Sequence, residues 1–253
     1  MNRTGLAIAF AVAIVIGGLF AVYPELDLAI SRVFYSELGF TLSADRTLVL
    51  VRRYAMVLVA LLALPAFLAI PIKLMWPRWR MWPRPRAVIF LIATLALAPG
   101  LLANVVLKDN WGRTRPIFVT EFGGRGPFLP WWDPRGECRD NCSFVGGEAA
   151  GAFWMLAPAA LAPPQWRPFA YAAAVAFGAG VGLVRIAFGG HFFTDVAFAG
   201  VFTFLVIWLV HGLLYRWRPT RLRDAAIEQP LERLGLALRR LLGGSAERPP
   251  PQA

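Results

Sequence analysis

A histidine and an aspartate stand four residues apart in the apolar segment RIAFGGHFFTD, residues 185–195. On a helix, His191 and Asp195 would share one face, so the carboxylate could accept the proton of one ring nitrogen and leave the other nitrogen basic. Polar groups inside membrane segments are costly and usually functional, although a purely structural pair would explain the same spacing. Arg185, taken alone, would be an interfacial arginine that extends its head to water. The segment therefore contains a candidate basic ring nitrogen beside a cation.

A second charged cluster, KDNWGRTRP, follows another apolar stretch. Lys108 supplies a compact point charge and Arg115 a planar fork with several donors, and both geometries suit phosphate oxygens. Each cation alone is most simply an exposed flanking charge. If both converge with Arg185 beside His191, they form a cradle for an oxyanion.

The elements that would position these groups are membrane helices. The chain has 253 residues, of which 58% are hydrophobic and 16% charged, and this is more apolar surface than a water-soluble domain of that length buries. Six stretches are long enough to cross most or all of a hydrocarbon core roughly 30 Å thick. They are Gly5 to Tyr23, Tyr54 to Ile72, Ala87 to Leu107, Ala149 to Trp166, Pro168 to Val184 and Val196 to Tyr215. We predict an all-α integral membrane bundle of six helices, with an extended periplasmic loop between the third and the fourth.

The basic residues predict the orientation of the bundle. The net charge is +11, and arginines crowd the connections after the second and the sixth apolar stretches. The positive-inside rule makes these connections cytoplasmic. We therefore expect a multi-pass protein of a bacterial inner membrane with both termini cytoplasmic and both charged clusters on the periplasmic side. Topology and anionic lipids explain the charge better than nucleic acid does.

The chain divides into two predicted parts. Residues 1–220 form the membrane domain, whose first span is an uncleaved anchor. Residues 221–253 form a cytoplasmic amphipathic helix, suggested by leucines at near-helical spacing, and then a disordered tail, SAERPPPQA. Pro24 to Thr47 mixes apolar and charged residues and is expected to form a short helix on the outer surface.

Cys138 and Cys142 lie in the predicted periplasmic loop, where the environment is oxidising. A local disulfide is the first interpretation, and two free thiols are the alternative. A metal site would need further Cys or His ligands nearby, and the sequence offers none.

The two charged clusters resemble motifs of the type 2 phosphatidic acid phosphatases, a family of membrane lipid phosphatases. The family's first motif, a lysine followed after six residues by Arg-Pro, is matched by Lys108, Arg115 and Pro116. Its third motif, an arginine, then five residues and a histidine, then three residues and an aspartate, is matched by Arg185, His191 and Asp195. Val184 replaces the serine that usually precedes this arginine.

The resemblance implies a mechanism. His191 would attack phosphorus to form a phosphohistidine, Asp195 would orient the ring, and the three cations of the cradle would stabilise the phosphoryl oxygens. Neither a metal nor another cofactor is implied. A neutral imidazole and preorganised cations suit this chemistry on physical grounds as well.

The family's middle motif, Pro-Ser-Gly-His, is replaced here by VGGE, residues 145–148. Gly147 fits the pattern, and its N–H could reach a phosphate oxygen. Glu148 stands where the family has the histidine that protonates the leaving group. Either Glu148 is a general acid with a raised pKa, or it pairs with Arg115 or Arg185 and holds the cradle in shape.

The leading functional prediction is a metal-independent phosphatase for a lipid phosphate or pyrophosphate at the periplasmic face. Its candidate substrates are undecaprenyl pyrophosphate, phosphatidylglycerol phosphate, phosphatidic acid and lipid A. One alternative is a phosphotransferase that passes the phosphoryl group to a lipid acceptor. Another is a phospholipid-binding protein that has lost turnover. A transporter or channel is disfavoured because the ionisable groups cluster at one face.

Overall fold

The computed structural model describes residues 3–242, and these residues form helices and loops without a β-strand. The expected disordered tail, SAERPPPQA, lies outside the described residues. The helices are α1 (Arg3–Val22), α2 (Glu25–Arg32), α3 (Arg46–Met75), α4 (Pro85–Leu107), α5 (Gly147–Phe153), α6 (Leu156–Ala160), α7 (Arg167–Ala187), α8 (Phe193–Arg216) and α9 (Asp224–Leu241). The all-α prediction is confirmed for this part of the chain.

Five of these helices, α1, α3, α4, α7 and α8, are long and apolar enough to cross a membrane. The predicted fourth span, Ala149 to Trp166, is not one continuous helix. It forms α5 and α6, which are separated by a turn at Trp154 and Met155. Pro158 has no N–H for the carbonyl of Trp154, which instead accepts a hydrogen bond from the backbone of Ala157 at 2.8 Å. The six-helix count is therefore not confirmed, since the described residues contain five candidate spans and one broken helical segment.

The broken segment is packed inside the bundle. α5 contacts α3, α4, α7 and α8, and most of its residues are buried. Two glycines of α7 allow the close approach. A Cβ on Gly178 would lie 2.3 Å from the ring of Phe153, and a Cβ on Gly182 would lie 2.1 Å from the side chain of Val196. Small residues at such contacts are typical of membrane helix packing.

The end of the bundle that carries His191, called the site end below, is covered by α2 and by the connection between α4 and α5. Trp131 fixes this connection to the helices. Its ring stacks on Phe198 with centroids 4.3 Å apart, and its Nε1 donates to the carbonyl of Gly17 at 3.2 Å. Cys138 and Cys142 are joined by a disulfide, as predicted. The short helix expected within Pro24 to Thr47 is present as α2.

At the opposite end, α9 packs on α3 and α4 and lies within the stretch predicted as an amphipathic helix. Lys73 of α3 is buried and donates to Glu228 of α9 at 3.1 Å and to the carbonyl of Trp79 at 2.9 Å. Leu231 and Gly235 of α9 pack against the bundle and ion pairs hold the helix there, whereas Leu234, Leu238 and Leu241 of the predicted apolar face are exposed.

Candidate active site

His191 lies in the turn between α7 and α8, two residues before α8 begins. Gly189 has a φ of +66°, a conformation that glycine adopts without steric cost, and it forms this turn. The ring of His191 is 2% exposed, and its Nδ1 is 2.8 Å from the carbonyl oxygen of Ser143. Because this carbonyl can only accept, Nδ1 carries the proton and Nε2 keeps its lone pair.

The predicted direct contact between His191 and Asp195 is replaced by an indirect one. The nearest carboxylate oxygen is 3.8 Å from Nδ1, which is too far for a hydrogen bond. Ser143 connects the two residues: its carbonyl holds the ring, and its Oγ donates to Asp195 at 2.5 Å. The backbone N–H of Phe192 also donates to Asp195, at 2.8 Å, so the carboxylate caps the first turn of α8.

Burial lowers the pKa of His191 below its usual value, and Arg185 and Arg115 lower it further against the opposing effect of Asp195. The imidazole is therefore neutral near pH 7. A neutral ring with a free Nε2 is the state in which a histidine can act as a nucleophile.

Arg113, which the sequence analysis did not select, organises the buried side of the site. Its Nη1 donates to Asp195 at 2.6 Å, its Nη2 to Asp27 at 2.8 Å and its Nε to the carbonyl of Leu129 at 2.9 Å. The guanidinium also lies over the ring of Phe192, 4.3 Å from the centroid. We call Asp27, Arg113 and Asp195 the buried triad; all three side chains are almost completely enclosed.

Asp27 reaches the triad from α2 and also accepts the backbone N–H of Thr194 at 3.0 Å and the hydroxyl of Thr194 at 2.5 Å. It thereby links α2 to the first turn of α8. Arg113 had a signal in the sequence, since it lies within KDNWGRTRP. Asp27 and Ser143 had none, because neither belongs to a spacing with chemical meaning.

The three predicted cations, Lys108, Arg115 and Arg185, lie near one another and are called the cradle below. Arg185 is 8% exposed, and its Nε has no hydrogen-bond partner among the described residues. A Cβ on Gly190 would come within 2.5 Å of Nη2 of Arg185, so glycine leaves the space that this guanidinium occupies. This enclosed Nε donor is open to an anion.

The other two cations are half-buried. Arg115 donates from Nε to the carbonyl of Asn141 at 2.9 Å, and Lys108 makes no hydrogen bond or ion pair within residues 3–242. Burial lowers the pKa of Lys108, and the like charges of Arg115 and Arg185 lower it further. The cradle therefore holds mutually repelling cations that an anion would stabilise.

Glu148 pairs with a residue that neither sequence alternative included. Arg52 of α3 donates from Nε and Nη2 to the two carboxylate oxygens at 2.6 and 2.5 Å, whereas Arg185 is a more distant partner at 3.9 Å. Burial raises the pKa of Glu148, but the hydrogen bonds from Arg52 and the charge of Arg185 outweigh it, so the pKa is lower than usual. Glu148 is ionised near pH 7. Arg52 had no sequence signal beyond a charge near the start of an apolar helix.

Gly147 is the first residue of α5, so its N–H has no acceptor within the helix. A Cβ at this position would lie 2.3 Å from Oδ1 of Asn104, which explains why glycine stands here. Its proposed contact with phosphate stays a prediction. Within residues 3–242, no group of three or more His, Cys, Asp or Glu side chains is placed to hold a metal ion.

The chain is similar in sequence to proteins of a known family. A family model described as the PAP2 superfamily matches residues 87–221. The chain is 43% identical over 132 residues to a lipid A 4'-phosphatase of Francisella tularensis subsp. novicida (strain U112), an alignment that covers 52% of this chain and 60% of the relative. It is 41% identical over 105 residues to a lipid A 4'-phosphatase of Rhizobium leguminosarum, covering 42% of this chain and 45% of the relative. The matches thus span less than two thirds of each relative's length. No solved structure matches the chain.

Proposed function

The chain belongs to the PAP2 superfamily, and we propose that it is a membrane lipid phosphatase that removes the 4'-phosphate of lipid A through a phosphohistidine on His191. One observation carries the proposal. The neutral ring of His191 is fixed through Nδ1 to the carbonyl of Ser143, which leaves Nε2 free beside the cradle, where Nε of Arg185 lacks a partner.

The first step forms a bond between Nε2 of His191 and phosphorus and breaks the bond between phosphorus and the sugar oxygen. The sugar oxygen leaves as an alkoxide and takes up a proton from solvent water. Arg185, Arg115 and Lys108 stabilise the negative charge on the phosphoryl oxygens in the transition state. In the second step, water attacks the phosphohistidine, the N–P bond breaks, and inorganic phosphate leaves.

Asp195 acts in this scheme as a positioning residue. Its carboxylate holds the hydroxyl of Ser143, whose carbonyl fixes the imidazole. The negative charge of Asp195, 3.8 Å from Nδ1, also stabilises the positive charge that the ring gains when Nε2 is phosphorylated.

Glu148 is proposed to act as a carboxylate that shapes the cradle. Its hydrogen bonds with Arg52 and its lowered pKa support this role over that of a general acid near neutral pH. Glu148 would hold Arg52 close to Arg185 and limit the repulsion among the cations.

Lipid A is preferred over undecaprenyl pyrophosphate, phosphatidylglycerol phosphate and phosphatidic acid because the curated relatives are named for it. We also propose that the site faces the periplasm of a bacterial inner membrane and that both termini are cytoplasmic. The arginine-rich connection between α3 and α4 and the arginines after α8 support this orientation.

The deciding experiment incubates purified protein with lipid A and the three other lipids in the presence of a chelator. Free phosphate and the mass of the lipid product are measured, with His191→Asn as the control. We expect phosphate from lipid A with the wild type and none with the variant. Mild acid, which cleaves the glycosidic 1-phosphate and spares the 4'-ester, identifies the position that was hydrolysed.

Each other outcome selects a different function. A phosphorylated acceptor lipid without free phosphate would indicate the phosphotransferase. Tight phosphate binding without turnover on any lipid would indicate the binding protein. Activity that disappears with chelator and returns with a divalent ion would replace the metal-independent mechanism with a metal-assisted one.

A further inference from the structure

A second basic cavity lies at the end of the bundle opposite to His191. It encloses about 490 Å³ and is bounded by the start of α4, the start of α7 and the end of α8. Ligand sites typically measure about 300–1,000 Å³. His211 in the cavity wall follows His191 by twenty residues, which corresponds to roughly 30 Å of helix. The cavity is therefore separate from the candidate active site.

The described wall of this cavity carries more positive than negative charge. It contains three arginines, Arg84, Arg86 and Arg167, and one carboxylate, Asp224. Asp224 accepts hydrogen bonds from the backbone N–H of Arg86 at 3.0 Å and from its Nε at 3.1 Å, so these two residues neutralise each other. Arg84 and Arg167 form no ion pair with the described residues and add two positive charges to the wall.

Both remaining arginines have donors to spare. The side chain of Arg84 makes no hydrogen bond or ion pair with the described residues. Arg167 donates from Nε and Nη2 to the carbonyl of Ala162 at 3.2 and 3.1 Å, which leaves Nη1 unused within that part of the chain. An anion with several oxygen atoms would accept hydrogen bonds from both guanidiniums.

The cavity wall also contains a polar atom whose hydrogen bond is missing. Nδ1 of His211 is buried and has no partner among the described residues. The ring is held by stacking on Tyr215, with centroids 5.0 Å apart, and by the edge of Phe90 at 5.8 Å. Since buried polar atoms are nearly always satisfied, this nitrogen is consistent with a ligand whose oxygen would complete it.

Exposed tryptophans indicate the depth of the cavity in the membrane. Trp82 forms part of the wall and is 79% exposed, and Trp166, adjacent to Arg167, is 62% exposed. Tryptophan is enriched where the hydrocarbon core meets the headgroups. The cavity therefore lies at headgroup depth, where basic pockets between helices meet phospholipid phosphates.

We propose that this cavity binds the phosphodiester of an anionic phospholipid from the leaflet opposite to the candidate active site. Arg84 and Arg167 bind the phosphate oxygens, and Trp82 borders the headgroup. The bound lipid connects the beginnings of α4 and α7. Its effect is on the stability of the bundle and leaves the chemistry at His191 unchanged.

The test uses the full-length protein in nanodiscs of a zwitterionic phospholipid, with and without a fraction of phosphatidylglycerol. The unfolding temperature is measured, and native mass spectrometry counts the retained lipids. We expect phosphatidylglycerol to raise the unfolding temperature of the wild type and to remain bound as one molecule per chain. Arg84→Gln should lower the affinity for phosphatidylglycerol about tenfold, because a charge-assisted hydrogen bond to phosphate is lost. The rise in unfolding temperature should be smaller as a result.

The double variant Arg84→Gln/Arg167→Gln should abolish the effect. Its matched control is Arg218→Gln/Arg221→Gln, which removes the same charge at the same end from exposed residues outside the cavity wall. Equal responses of the two double variants would overturn the proposal, because surface charge alone would then explain the binding. Because Arg84 is exposed, Arg84→Gln is expected to fold. This single variant therefore still tests the proposal if the double variant does not fold. If inorganic phosphate stabilises the wild type to the same extent as phosphatidylglycerol, the lipid proposal is overturned in favour of a small-ion site.

Discussion

Two clusters of arginines and carboxylates lie at the same end of this protein and differ in how completely their charges are paired. In the buried triad, both carboxylates are hydrogen-bonded to Arg113, and all three side chains are enclosed. In the cradle, three cations lie near Arg52 and the carboxylate of Glu148, and Nε of Arg185 has no hydrogen-bond partner among the described residues. The same residue types thus form a framework where their hydrogen bonds are satisfied and leave donors open where they are not.

The energetic expectations for the two clusters differ as well. Removing one partner of a buried pair leaves an uncompensated charge and costs about 3–5 kcal/mol, whereas an exposed pair contributes about 0–1 kcal/mol. The side chains of Arg52 and Glu148 are 38% and 28% exposed, so their pair belongs nearer to the second class. Substitutions in the triad should therefore affect folding, and substitutions in the cradle should affect activity.

The largest effect is expected at His191, where the two clusters meet. His191→Asn keeps a donor that can reach the carbonyl of Ser143 but removes the nucleophile. We expect phosphate release to fall by about 10³-fold or more. The free energy of unfolding should change much less than in the triad variant below. Near-normal phosphate release by this variant would refute the phosphohistidine mechanism.

Arg113→Met and Arg115→Met compare the two clusters directly. Loss of Arg113 leaves Asp27 and Asp195 as buried, unpaired charges, and we expect the free energy of unfolding to fall by about 3–5 kcal/mol. Loss of Arg115, two residues away, should cost less than about 1 kcal/mol of stability. It should nevertheless reduce kcat/KM by about 10²-fold. Unfolding in detergent and initial rates measure both quantities, and equal destabilisation by the two substitutions would contradict the distinction.

Removal of the disulfide tests how the connection between α4 and α5 supports both clusters. Next to Cys142, the carbonyl of Asn141 accepts from Arg115, and that of Ser143 holds His191. Cys138→Ser/Cys142→Ser should cost about 2 kcal/mol of stability, as expected for a very short loop. The chemical step should change less, since neither sulfur touches the reacting groups. Two alkylatable thiols in unreduced protein would show that the bond does not form.

The smallest effect is expected at Glu148, where the two roles predict different pH profiles. If Glu148 shapes the cradle, Glu148→Gln and Arg52→Gln should both lower kcat/KM by about tenfold or less and leave the profile unchanged. If Glu148 is the acid, its Gln variant should be inactive. Arg52→Gln should then extend activity to higher pH, because the hydrogen bonds that lower the pKa of Glu148 are gone.

The acidic limb of the profile belongs to His191 in either case. Its lowered pKa keeps the ring neutral, so kcat/KM should fall only below the usual histidine value of about 6.5. The ion pair between Glu148 and Arg52 also makes the free energy of unfolding depend on pH. Because the pKa of Glu148 is depressed by folding, that contribution is present above the carboxyl's usual pKa and is lost as the pH falls through the lowered one.

The sequence was sufficient to predict several features that depend on local properties. Apolar runs of sufficient length predicted α1, α3, α4, α7 and α8, because each long helix satisfies its own backbone in lipid. The fourth run was the exception. Its length and composition resembled a span, but Pro158 and the enclosure of α5 among other helices produced two short helices.

The chemistry-bearing side chains were predicted from residue type and spacing, since a histidine, an aspartate and three cations are recognisable in any fold. Their partners were decided by the tertiary structure alone. Arg113 meets Asp195 across 82 residues and Asp27 across 86, and Arg52 meets Glu148 across 96. Local spacing carries no information about such contacts, because they depend on which helix ends the packed bundle brings together. For that reason the sequence determined which groups could act on a phosphate, and only the fold decided which charges are satisfied and which remain open for a ligand.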